Sequence, residues 1–174
     1  MNFLRSLIRN QTGAAGAEMA LMVPMLIILM FGSFEMGHFF WSEHKVVKAV
    51  RDGSRFAARQ PFTKFSCTQS GILLGDGTNN ADTTLITQIK NLTRTGNIAG
   101  TGTEIVPGWT NAQVTITVSC PATVVNTGIY KGLTNAPRVT VAATVPYPSL
   151  FGALGINTNS INLNAQAQSP VMGI

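Results

Sequence analysis

Charge is what this 174-residue chain has least of: 11% of it is Asp, Glu, Lys or Arg, against about 25% in an average soluble domain. That excludes an ordinary cytosolic surface. The 45% hydrophobic content excludes disorder as well, since disordered chains combine low hydrophobicity with high charge. Histidine occurs only as His38 and His44, and no His-Glu-x-x-His, Gly-x-Ser-x-Gly or P-loop pattern is present. Asp76 to Asp82 has oxygens at the first, fifth and seventh places of a calcium loop but lacks its Gly and its closing acid, so it reads as a turn leading into a helix. Asp52-Gly-Ser54 starts like a metal-dependent adhesion motif, but Phe56 stands where a second Ser is needed. No enzyme activity, metal or cofactor is expected. Cysteine is limited to Cys67 and Cys120, with no Cys-x-x-Cys or zinc spacing. Two such residues fit one disulfide in an exported domain, the alternative being two buried thiols.

What the chain has instead is one long apolar run. Ala14 to Phe34 contains a single charge, Glu18, and about 20 apolar residues suffice to span a bilayer core. Phe39, Phe40 and Trp41 follow, where an aromatic belt sits. The net charge of +5 does not indicate nucleic acid, because its basic residues bracket the apolar run. Arg5 and Arg9 precede it; Lys45, Lys48, Arg51, Arg55, Arg59 and Lys64 follow. A cleaved secretory signal would place small residues after its apolar core. Here Gly13, Ala14, Ala15, Gly16 and Ala17 come before it. Glu18 is the anomaly, since a carboxylate in a spanning helix costs roughly 2.5–3.5 kcal/mol on insertion scales. It either reaches the headgroups and favours the helix N-terminus, or it has a partner.

The run Gly13-Ala-Ala-Gly-Ala-Glu18, after a short basic leader, resembles the type IV prepilin processing site in its tight-adherence (Flp) variant. The resemblance implies a prepilin peptidase that cuts after Gly13 and makes Glu18 the fifth residue of the mature chain. Met19 stands where the family usually has Tyr or Phe. Phe31-Gly32-Ser33-Phe34-Glu35-Met36-Gly37 and Ala49-Val50-Arg51-Asp52-Gly53-Ser54-Arg55-Phe56-Ala57-Ala58 are similar to two later blocks of the TadE-like family. Here His38, Asp52 and Ser54 replace that family's usual Arg, Glu and Ala. A Glu35–His38 pair would share one helix face. A looser likeness covers Val139 to Leu154 and Ile161 to Ala167.

The helical pattern continues past the membrane segment. Val46, Ala49, Val50, Gly53 and Ala57 form one stripe, with Lys45, Lys48, Asp52, Arg55 and Arg59 opposite. Pro61 should end the element. A helix from Ala14 to Arg59 would be 46 residues, or roughly 69 Å at 1.5 Å per residue. The basic face reads as solvated, with headgroup contact but no specific site. Pro24 should kink the apolar part. After Gln60 the texture turns to Thr and Asn. Asp82 to Leu92 reads as a helix capped by Asp82, with Leu85, Ile86, Ile89 and Leu92 on one face. Val114–Val118, Val139–Val145 and Ile161–Ala167 read as strands.

The expected fold is therefore α+β: a pilin-like long N-terminal helix carrying a small antiparallel head. The expected organisation is a leader over 1–13, a transmembrane helix over 14–40, its amphipathic continuation over 41–60, and a periplasmic head over 61–174. The resemblance implies a pseudopilin or minor pilin of a tight-adherence pilus, anchored in the bacterial inner membrane. Its implied partners are prepilin peptidase, inner-membrane pilus platform proteins, the major Flp pilin, other pseudopilins and the lipid bilayer. Ala14 and Glu18 are the implied subunit-pairing residues. The rival is a permanently anchored periplasmic binding or adhesion module that never assembles.

Overall fold

The computed structural model describes residues 13–65, 67, 82–121, 128–155 and 160–173. Helix α1 spans Ala14–Ala58 and runs through Pro24. It stops one residue short of expectation. Arg59 N–H and Gln60 N–H donate to Phe56 O and Ala57 O in a tighter turn, and Pro61, which has no N–H, cannot extend it. The chain divides between His38 and Phe39 into two compact units.

In the second unit, helix α2 spans Thr83–Thr95. The Asp82 carboxylate caps it by accepting from Leu85 N–H at 3.0 Å, and Gly96 closes it in the left-handed region at φ 72°, where glycine carries no Cβ penalty. Lys64 Nζ lies 2.6 Å from Asp82 Oδ2. This hydrogen bond, joined by the Leu85 N–H, holds the Asp82 carboxyl below its ordinary value. Leu85, Ile89 and Thr93 are the buried stripe, flanked by half-buried Ile86 and Leu92.

Three strands follow: β1 Val114–Ser119, β2 Arg138–Pro146 and β3 Asn162–Pro170. They form an antiparallel sheet in the order β1-β2-β3. Val114 pairs with Ala143, and Val145 with Leu163. Alternation sends Val114, Ile116, Val118, Val139, Val141, Val145 and Leu163 into the core. Thr115, Thr117, Thr144, Asn164, Gln166 and Gln168 are exposed. β3 starts one residue later and ends three residues later than its sequence pattern, because Gln168, Ser169 and Pro170 pair with Thr140, Val139 and Arg138.

The expected apolar stripe of α1 joins this core. Val46, Ala49, Val50 and Ala57 are buried with the inner strand residues, Leu85, Ile89 and Trp109. Ring contacts extend the packing at Phe39–Tyr147 (5.1 Å) and Phe62–Tyr130 (5.9 Å). Trp109 is the largest fully buried side chain, at 1% exposure. Truncating such a residue to Ala costs about 3–5 kcal/mol. The chain's last described turn is tied down as well. Met172 N–H donates to Ala58 O at 2.8 Å, and Tyr130 O–H donates to Val171 O at 2.8 Å.

α1 meets α2 at Gly53. A Cβ there would overlap Thr93 Oγ1, whose hydroxyl donates to Ile89 O at 2.8 Å. Next to it, buried Ser54 donates to Arg51 O at 2.9 Å and shares a 3.1 Å hydrogen bond with Ser169 of β3. Cys67 and Cys120 form a disulfide across 53 positions. On the chain-entropy estimate, closing such a loop stabilises by about 4 kcal/mol.

Gly53→Ala should destabilise the head by about 1–3 kcal/mol through overpacking, and Thr93→Ala in the same chain should recover part of that loss. Denaturation of the full chain in detergent, followed by Trp109 fluorescence, measures both. Asp82→Ala should cost about 1 kcal/mol near neutral pH, as loss of an N-cap does. Because folding lowers the Asp82 pKa from 3.8, its contribution is complete above that value and is lost as pH falls through the lower folded one. The stability gap between wild type and Asp82→Ala should therefore narrow below about pH 3.8, and a gap independent of pH would contradict this account.

Candidate functional site

Gly13 is exposed and immediately precedes Ala14, where α1 begins. The peptide bond between them thus lies at the mouth of α1. Residues 1–12, the expected leader, lie outside the described residues. Glu18 is exposed one turn into the helix. Neither the Lys64–Asp82 nor the Arg94–Glu104 ion pair involves Glu18.

From Met19 to Phe34 every large side chain is exposed, including Met19, Leu21, Leu26, Ile28 and Phe31. A helix apolar all round normally has its surface covered. This segment is long and apolar enough to cross a membrane, and none of its apolar window is buried within the chain. Ser33, its one hydroxyl, donates to Leu29 O at 2.7 Å. That satisfies the polar group inside the helix, as a lipid environment demands. α1 is thus the chain's candidate membrane anchor.

The two resembling blocks differ in what their glycines touch. At Gly13, Gly32 and Gly37 an added Cβ would meet nothing within 4 Å. Gly53 is different, because Thr93 of the same chain occupies the space. Packing within the chain explains the last glycine and none of the others. Phe31, Gly32 and Gly37 are exposed, and Glu35 is half-buried.

Arg51, Asp52 and Arg55 are exposed. With His44, Val47 and Lys48 they line an open groove of about 400 Å3. Lys48 and Asp52, although four residues apart, form no ion pair. The fold therefore separates the block into a buried side, Ala49, Val50, Gly53, Ser54, Ala57 and Ala58, and the exposed charges Arg51, Asp52 and Arg55. Lys45 lies 3.3 Å from the centroid of the Trp41 ring, a contact that sequence reasoning missed although the i,i+4 spacing permits it. Among the described residues no group of three or more His, Cys, Asp or Glu could hold a metal ion. The candidate calcium loop falls mostly outside them.

No curated protein and no solved structure matched the chain. Residues 13–55 do match a family, described as TadE-like protein. The match opens on Gly13 and closes on Arg55, so it takes in the exposed apolar helix, Gly53 and the uncovered charges, and none of the head after α1. The likeness noted for the closing segments is not part of it. Over residues 13–55, about a quarter of the chain and nearly all within α1, this protein is similar to the TadE-like family.

Proposed function

We propose that this chain is a pseudopilin or minor pilin of a tight-adherence pilus machine, with a structural or priming role and no catalytic one. It is made as a precursor, cut between Gly13 and Ala14 by a prepilin peptidase, and held in the bacterial inner membrane by α1 with its head in the periplasm. Its working partners are the pilus platform proteins, the major Flp pilin and other pseudopilins. The observation that carries this reading is the Gly13–Glu18 constellation at the start of an uncovered apolar helix within a TadE-like match. A plain anchor has no use for that arrangement.

Cleavage gives Glu18 a purpose. It frees an ammonium group at Ala14, and the carboxylate of one subunit neutralises the ammonium of its neighbour. In a low-dielectric surrounding an unpaired carboxylate is costly, so the pair selects the register in which subunits meet. The disulfide suits an oxidising periplasm.

The mature chain should begin at Ala14, having lost 13 residues together with Arg5 and Arg9. Mass spectrometry of membrane-extracted protein reads this directly. An uncut chain would favour the permanently anchored binding module, and a mature start beyond Phe34 would identify a secretory signal.

Glu18→Gln should leave insertion and cleavage nearly intact while reducing pilus assembly, because a neutral amide cannot neutralise an ammonium. Glu18→Asp keeps the charge with a shorter reach and should be intermediate. Surface pilus yield, with cleavage checked on the same samples, is the measurement. Wild-type yield from Glu18→Gln would sink the pairing and leave Glu18 as a peptidase determinant or a helix-terminus charge.

A further inference from the structure

The aromatic and basic residues just beyond the apolar run form a more specific arrangement than a solvated face. Trp41 is 57% exposed, and the Lys45 ammonium is stacked on its ring at 3.3 Å. Lys48 is exposed on the same side, seven residues and two turns from Trp41. Ser42, Val46, Ala49 and Val50 turn the other way and are buried in the head. Trp41 and Lys48 are therefore exposed to the surroundings, with half-buried Lys45 between them. The acidic residues nearby on α1 are half-buried Glu43 and exposed Asp52, and neither forms an ion pair with the two lysines.

We propose that Trp41, Lys45 and Lys48 form a binding site for the phosphate of an anionic phospholipid where α1 leaves the bilayer. An exposed indole settles at the headgroup level. Stacking on that ring then fixes Lys45 at the same depth, with its outward N–H donors directed to a phosphate. Along the helix Lys45 lies about 6 Å beyond Trp41 and Lys48 about 10 Å beyond it. Both distances are within or near the Debye length of about 8–10 Å over which headgroup charge acts. Arg55 and Arg59 lie about 21 and 27 Å beyond Trp41, so the site excludes them. The lipid acts as a depth gauge, opposing sliding of α1 along the membrane normal. This inference rests on α1 crossing a bilayer and not on cleavage or assembly.

The test uses the two tryptophans. Trp109 is fully buried in the head, so lipid-borne bromine quenches Trp41. The full chain is reconstituted in phosphatidylcholine vesicles containing a fixed minor fraction of phosphatidylglycerol. Bromine is carried either by the phosphatidylglycerol or by an equal fraction of the phosphatidylcholine. Each juxtamembrane cation supports about a fivefold preference for an anionic lipid, so labelled phosphatidylglycerol should quench at least fivefold more effectively. The ratio should approach one in K45Q/K48Q and in 1 M salt, and should persist in R55Q/R59Q. Taking the ratio within each variant cancels any change in Trp41 brightness. A wild-type ratio near one, or an equal loss in R55Q/R59Q, would overturn the site. Quenching by neither labelled lipid would overturn the membrane crossing together with the site.

Discussion

A sheet with one apolar face must bury that face against another layer, and in this head α1 and α2 give the three strands their cover. The cover works because the α1 stripe is made of small residues. Ala49, Gly53 and Ala57 let the helix come close, and Gly53 has no side chain where Thr93 needs room. The inner valines of β1 and β2, Leu163 of β3 and Trp109 then share one core with Val46 and Val50. The same helix is buried on this stripe and bare along its apolar first half. One element thus supplies the head's core and the chain's membrane segment.

That double use bears on the family match. The matched residues stop at Arg55, short of the whole head after α1. Yet the match includes Gly53, whose role is fulfilled only by contact with α2. The second block is therefore more than a membrane feature: it is the docking edge on which a head is built. Ser54 lies on the same edge, and its buried hydroxyl is satisfied by Arg51 O and by Ser169 of β3. That polar atom is accommodated by a matching serine in a strand the match does not reach.

Much of this was legible in the sequence. The apolar run, the α1 stripe, the Asp82 cap and the first two strands follow from periodicity and residue chemistry. Other features were not readable, for definite reasons. Trp109 sits among Pro107, Gly108 and Thr110 with no period around it, so nothing local marks it as the largest core residue. Thr93 lies beyond Leu92, where the readable helix pattern ends, and only the glycine opposite explains its burial. The inner face of β3 is mostly Ala165 and Ala167, too weakly apolar to show how far the strand runs. The Cys67–Cys120 disulfide, by contrast, was legible, because two cysteines in an exported domain fit one bond. In the candidate site, Gly13, Glu18 and the apolar run were readable. The Trp41–Lys45 stack and the different surroundings of Gly53 and the earlier glycines were not, because spacing alone cannot tell a covered face from a bare one.

The last described turn of the chain has a mechanical meaning. Met172 holds Ala58 O, Val171 accepts from Tyr130, and Ser169 meets Ser54. The final strand is thus fastened to the last turns of the helix that carries the anchor. Bonds join the last turns of α1 to β3 and the turn after it, and a nine-pair ladder joins β3 to β2. The last described turn can therefore lift away only after its bonds to Ala58 and Tyr130 have broken, which opposes fraying at that end of the head.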